Sequence, residues 1–293
     1  MKILLIGNPA AGNVQGRAKI GELIQLLGQR GVRLETFLTR HPGDAKRRAC
    51  CIEPDVERLL VAGGDGTLNE VLNGLPDPSR IPLVLFPLGT SNVMAQELAL
   101  ANNLESIVTT LERGNIRRVD MGIIGDHRFL LFVSVGLDAM VMEKVFQIKR
   151  NRGGYSRYIF PVLKVLAHYH PPHLRITVDD FRDLKGGMVL VGNTRHYGGI
   201  FSIADRARFD SGHLDICIVP EGTFTSLARY YCAAARKKVS QDRKIHYVTG
   251  TRIRIESAEP VAVQVDGDYF GTTPVHINCK ASFVPLVVPP YSV

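Results

Sequence analysis

Residues 63–67 read Gly-Gly-Asp-Gly-Thr, and this order of residue types suits the chemistry of phosphate. Glycines let the backbone approach an anion, and a helix starting beside them offers unpaired N–H groups and a positive dipole end. The flanks supply that setting. Leu59, Leu60, Val61 and Ala62 make an apolar run of strand length, and Leu68, Val71, Leu72 and Leu75 recur at helical spacing. Asp65 is the odd member, since a carboxylate repels phosphate unless a cation or a proton-transfer step stands between them. Two other turns are of the same kind: Asn8-Pro9-Ala10-Ala11-Gly12 and Pro87-Leu88-Gly89-Thr90-Ser91-Asn92. Late in the chain, Asp266 and Asp268 flank Gly267. That arrangement is either a plain hairpin turn or a carboxylate pair placed for proton transfer.

The elements that must position these residues follow from periodicity. Apolar strand-like runs at 2–6, 33–38, 59–62 and 81–86 alternate with helical patterns at 20–27, 45–51, 68–75, from Val93 onward and 104–111. Repeated β-α units predict a parallel sheet covered on both faces, with ligands at the carboxyl ends of its strands. Each of the three turns follows a strand, so they are expected on one rim. After about residue 120, short β-like runs separated by turn residues predict a β-rich domain. The expected division is therefore 1–120 for a nucleotide-binding α/β domain and 121–293 for a β-rich substrate domain. Two stretches at 140–168 and 223–238 combine apolar with basic residues. Each is either a helix packed on a sheet with a solvated basic edge or a face for an anionic interface.

The chain carries a formal net charge of +8, which favours acidic partners: nucleic acid, nucleotide phosphates or an anionic membrane face. No nucleic-acid-binding module is legible, so no nucleic-acid partner is expected. No apolar stretch approaches the roughly 20 residues of a spanning helix. Cys50, Cys51, Cys217, Cys232 and Cys279 follow no ligand spacing, which suggests a reducing cytosol and a cytoplasmic protein visiting the inner membrane face. The absence of any Gly-Lys pair excludes a Walker A loop.

Taken together, NPAAG at 8–12, GGDGTLNEV at 63–71, PLGTSN at 87–92, VGLDA at 135–139 and VDGD at 265–268 resemble the diacylglycerol kinase catalytic-domain family in order and spacing. The chain looks like a soluble bacterial lipid kinase of that family, related to sphingosine kinases. The resemblance implies a nucleotide-binding α/β domain of the phosphofructokinase and NAD-kinase type followed by a β-sandwich domain. It also implies ATP and Mg²⁺, and an acceptor hydroxyl on a diacylglycerol-like or long-chain-base lipid at a membrane surface. Carried over residue by residue, it puts Asn8, Pro9 and Gly12 at the nucleotide with Thr39, and wraps the phosphates with Gly63, Gly64, Asp65, Gly66, Thr67, Leu68 and Asn69. Glu70 is implied as a further contact to metal or nucleotide, and Thr90 completes the site. The family's general base falls on Asp268, one methylene shorter than the usual glutamate, with Asp266 near metal and phosphates and Asp65 as the rival base. A structural Mg²⁺ of the family would fall on Arg208, Asp210, Ser211 and His213, where Ser211 stands in the aspartate position. The alternatives are an NAD kinase, which shares GGDGT, and a catalytically weak nucleotide- or lipid-binding regulator.

Overall fold

The computed structural model describes residues 1–12, 15–101, 103–147, 169–180, 182–197 and 201–290. These form two compact units, one of residues 1–121 with the C-terminal segment from 281, the other of residues 122–280. The return of the C-terminal segment to the first unit is the difference from a linear division at residue 120.

In the first unit, Lys2–Gly7, Arg33–Leu38, Arg58–Gly63 and Leu83–Pro87 are the strands of a parallel sheet. Lys2–Gly7 pairs with Arg33–Leu38 on one side and Arg58–Gly63 on the other, and Arg58–Gly63 pairs in turn with Leu83–Pro87. The chain thus reverses its direction of winding across the first strand, and the ends of Lys2–Gly7 and Arg58–Gly63 flank that switch point. Ligands of open parallel sheets bind there. The helix Gln15–Gln29 buries Ile20, Leu23 and Leu27 at helical spacing, and Asp65–Gly74 buries Leu68, Val71 and Leu72. Leu59 and Leu60 are fully buried, as a strand covered on both faces requires. Each such side chain contributes roughly 1.5–3 kcal/mol of burial free energy. The last strand, Val275–Val288, extends far past the short run at 275–277 that alternation suggests, and Leu286 pairs in parallel with Leu83.

In the second unit, one antiparallel sheet runs His246–Gly250, Leu214–Val219, Met188–Gly192, Phe132–Val135, Ala262–Val265, Asp268–Thr272 from edge to edge. A second packs Arg252–Ser257 between Leu174–Val178 and residues 275–278 of the last strand. One core joins the inner faces, with Val133, Val189, Ile216 and Val263 from the first sheet and Ile176, Ile253 and Ile277 from the second. This is a β-sandwich. The apolar run at 129–135 is not one strand: it breaks into His127–Phe129 and Phe132–Val135, because a distant carboxylate captures the amides between them. Helices Leu137–Gln147 and Phe224–Ala235 belong to this unit. The first covers only the start of the basic stretch at 140–168, and residues 148–168 lie outside the described residues.

Candidate functional site

The three turns of the first unit meet. Asn8 donates from Nδ2 to Thr67 Oγ1 at 3.3 Å, and its Oδ1 accepts from the Ala10 amide at 3.0 Å, so one side chain ties the first turn to the second. Gly12 adopts φ +69°, and a Cβ there would stand 2.1 Å from the Leu88 carbonyl oxygen. That close approach binds the first turn to the third. Gly64 and Gly89 face each other so closely that a Cβ on Gly89 would lie 2.7 Å from the Gly64 Cα. Asn92 closes the third turn by accepting from the Gly89 amide at 2.9 Å and donating to its carbonyl at 2.8 Å.

Asp65 sits inside this junction. Its carboxylate accepts from the Val93 amide at 2.9 Å and the Met94 amide at 3.4 Å, fastening the GGDGT turn to the start of helix Val93–Glu97. Burial pushes its pKa up, and the amide hydrogen bonds oppose that shift without cancelling it. Glu70 is likewise engaged: Oε1 accepts from Gly43 at 2.9 Å and Oε2 from Ala45 at 3.2 Å. It holds the turn after Thr39, which Asp44 also shapes by accepting from the Arg40 and His41 amides at 2.7 and 2.8 Å. Those amides hold the Asp44 carboxyl below the usual range. Glu70 thus braces this turn through two backbone amides. Asn69 lies in the same helix, with Asn73 Nδ2 donating to its carbonyl and side-chain oxygens.

Two residues of the rim remain without such commitments. Thr90 is exposed and caps nothing, since the residue before helix Val93–Glu97 is Asn92. Gly66 is exposed in the first turn of helix Asp65–Gly74, has an ordinary φ, and a Cβ on it would meet no atom within 4 Å. By contrast, Gly63 is required internally, because its Cβ would fall 2.4 Å from Thr67 Oγ1. Glycine at 66 costs helix stability and solves no packing problem within the chain.

In the second unit, Val265 pairs with Asp268 across a two-residue turn whose central residues have φ +49° (Asp266) and φ +89° (Gly267). Two positive φ values define a type I′ hairpin, which Asp-Gly suits. The two aspartates have opposite circumstances. Asp266 accepts from the Leu130, Leu131 and Phe132 amides at 3.3, 3.1 and 3.0 Å, the capture that interrupts the strand before Phe132. Asp268 is exposed, and its carboxylate has no hydrogen-bond or ion-pair partner among the described residues.

A buried polar chain runs from this turn into the sandwich. The Gly267 amide donates to Gln264 Oε1 at 2.8 Å, and Gln264 Nε2 donates to Ser134 Oγ at 2.9 Å and Asp138 Oδ2 at 3.1 Å. Ser134 Oγ donates to Asp138 Oδ2 at 2.5 Å, and the Tyr197 hydroxyl donates to Asp138 Oδ1. Burial pushes the Asp138 pKa up against these hydrogen bonds, and burial followed by the neighbouring Asp138 pushes the Tyr197 phenol well up. Asp138 also lines an apolar cavity of about 370 Å³ with Leu137, Val141, Leu227 and Tyr231, a volume within the roughly 300–1,000 Å³ of ligand pockets. Ser134 and Gln264 are polar residues inside otherwise apolar strands, a signal in the sequence that periodicity alone passes over.

The proposed second metal site is a closed turn. The Ser211 amide donates to the Arg208 carbonyl at 3.2 Å and its hydroxyl to the His213 carbonyl at 3.0 Å, while Asp210 pairs with the Arg208 guanidinium at 3.2 Å. Ser211 thus donates to both carbonyls at which a cation on Arg208, Asp210, Ser211 and His213 would bind. Among the described residues no cluster of three or more His, Cys, Asp or Glu could hold a metal.

Residues 2–124 match the family described as the diacylglycerol kinase catalytic domain, and residues 131–288 match the YegS C-terminal NAD kinase beta sandwich-like domain. The chain is 28% identical over 275 residues to a diacylglycerol kinase of Staphylococcus saprophyticus, covering 92% of this chain and 90% of that one. It is 27% identical over 277 residues to a diacylglycerol kinase of Staphylococcus aureus strain MRSA252, covering 93% and 87%. The crystal structure of a diacylglycerol kinase from Bacillus anthracis str. Sterne superposes with a TM-score of 0.81 at 26% identity, covering 100% of this chain and 98% of that one. An NAD kinase from Archaeoglobus fulgidus, crystallised with ATP, gives a TM-score of 0.53 at 14% identity over 99% and 93% of the two chains, a likeness of fold alone.

Proposed function

The chain belongs to the diacylglycerol kinase catalytic-domain family and is a lipid kinase, and from that premise we propose that it transfers the γ-phosphoryl group of ATP, with Mg²⁺, to a hydroxyl of a diacylglycerol-like or long-chain-base lipid. The observation that carries the nucleotide half is the junction of three turns at the switch point of the parallel sheet, with Gly66 left bare and Thr90 unpartnered on its rim. These suit a phosphate chain: backbone N–H groups of Gly64 and Gly66 at a helix start, and a hydroxyl from Thr90. Asn8, Pro9 and Gly12 form the wall that holds the turn in shape, and Thr39, whose amide donates to the Gly7 carbonyl at 2.8 Å, borders the same strand end.

When bound, ATP supplies the phosphoryl group and Mg²⁺ neutralises charge on its oxygens. Without a cluster of three ligating side chains, the described residues fit an ion that arrives on the nucleotide phosphates and needs one or two carboxylates. The acceptor half falls to the second unit. Asp268, exposed and uncommitted, takes the proton of the lipid hydroxyl at its carboxylate. Asp266 fixes the hairpin on which Asp268 stands, and Asp65 secures the phosphate turn. The apolar cavity beside Asp138 takes acyl chain and favours a lipid over NAD as acceptor.

The test is transfer of labelled phosphate from ATP, with Mg²⁺, to mixed micelles of diacylglycerol or long-chain base, with NAD as a parallel substrate. Label in a lipid is the expected result. Label in NAD alone would overturn the choice of acceptor.

A further inference from the structure

We infer that the exposed face of helix Phe224–Ala235, with the cationic groove beside it, is the surface by which this protein docks on an anionic membrane. The inference deepens the lipid-kinase reading and rests on it in one respect, that the acceptor must be drawn from a bilayer.

The helix buries Leu227, Tyr230, Ala233 and Ala234. Phe224, Ala228, Cys232 and Ala235, four residues or one turn apart, form a stripe on the opposite side, all exposed, with Phe224 at 66%. A helix facing water ordinarily carries charged residues on that side, but this one contains no acidic residue at all. Phe224, Leu227, Ala228 and Tyr231 also line the apolar cavity next to Asp138. The stripe therefore borders the place assigned to the acyl chain.

The other flank is basic. Thr225, Ser226 and Arg229 of the helix line a groove of about 510 Å³ with Arg243, Lys244 and His246. Just past the helix end, Arg236, Lys237 and Lys238 are exposed. Two acidic side chains lie among them: Glu221 on the groove wall, and Asp242, which accepts from Arg229 Nε at 2.5 Å. Arg243 and Lys244 form no ion pair among the described residues. An apolar stripe edged by basic residues that outnumber the acidic Glu221 and Asp242 is the composition that binds an anionic lipid interface. A second copy of the chain on the same face would set like charges against each other, and a nucleic acid would leave Phe224 and the alanines unused.

The experiment is co-sedimentation of the full chain with vesicles of phosphatidylcholine alone or of an equimolar mixture with phosphatidylglycerol. Binding to the mixed vesicles only, weakening with salt, is expected. Each Lys or Arg near the surface contributes on the order of 1 kcal/mol, so the double variant Arg243→Glu/Lys244→Glu should lower partitioning by at least about 30-fold. Cys232→Glu, which puts a carboxylate in the middle of the stripe, should also release the protein. Both variants should melt as the wild type does and phosphorylate a water-soluble short-chain diacylglycerol at the wild-type rate. The chain has no tryptophan, so Phe224→Trp gives a single reporter whose emission should shift to the blue with mixed vesicles and not with phosphatidylcholine. Wild-type partitioning by both charged variants, equal binding to both vesicles, or self-association that the variants abolish would overturn the assignment. Normal vesicle binding without transfer to any short-chain lipid would instead sink the kinase reading and leave the docking face standing.

Discussion

Gly66 separates the requirements of the fold from those of the ligand, because Gly66→Ala should move them in opposite directions. The new methyl meets no atom within 4 Å, and the residue is already helical with an ordinary φ. Replacing glycine at such a position restricts the unfolded chain and stabilises by about 0.4–1 kcal/mol, a rise of roughly 1–4 °C in melting temperature for a chain of this size. The same methyl stands where a phosphate must approach the helix start. Losing one charge-assisted hydrogen bond from that backbone costs roughly 1.5–3 kcal/mol, or about 10- to 150-fold in ATP affinity. Thermal melting and calorimetric titration of ATP on the same preparation read both quantities. Gly12→Ala is the contrast: φ +69° and a Cβ 2.1 Å from the Leu88 carbonyl oxygen mean that it should lose stability first. A Gly66→Ala protein that is more stable yet binds ATP as tightly as the wild type would refute the assignment of this turn to phosphate.

Asp266→Ala should lower stability by roughly 3 kcal/mol, because it strands three amides at Leu130, Leu131 and Phe132, all nearly buried; Asp266→Asn, which suits the same turn, should cost less in a urea titration. Ser211→Asp should make the melting temperature rise with Mg²⁺ in the absence of nucleotide, while the wild type, whose Ser211 already satisfies both carbonyls, should show no rise through this turn. Asp65 has a raised pKa in the folded chain. Between its ordinary value and that higher one the folded form binds the extra proton, so this group's contribution to stability falls as pH rises through the window. Urea midpoints across the acid range should therefore vary less in Asp65→Asn than in the wild type.

The sequence makes the first unit legible because its signals are local. Apolar runs end in glycine turns, and helical spacing resumes directly after them, so the strand Arg58–Gly63 falls within one residue of its expected bounds and helix Asp65–Gly74 starts three residues before the apolar pattern that announces it. The interactions that it hides are the long-range ones. Nothing near Leu130 announces that Asp266, far along the chain, will take its amide and split an apolar run. Nothing near Glu70 says that its carboxylate will reach back to Gly43 and Ala45. The same holds for the last strand: its apolar end at 284–288 is buried against the first unit's sheet, and alternation at 275–277 does not foretell that return. Family resemblance supplies residue types for the site, and the geometry then sorts them: Asp65, Asp266 and Glu70 are occupied by backbone, whereas Asp268 is not.

A base at Asp268 that accepts the proton of the lipid hydroxyl acts in the chemical step and not in nucleotide binding. The most direct measurement is single-turnover phosphoryl transfer to a soluble diacylglycerol by the wild type, Asp268→Asn and Asp65→Asn side by side, with ATP affinity measured for each. Asp268→Asn should lose roughly 10²- to 10⁴-fold in the transfer rate with ATP affinity unchanged. Wild-type transfer by Asp268→Asn, together with loss in a folded, ATP-binding Asp65→Asn, would contradict it and move the base to the glycine-rich turn.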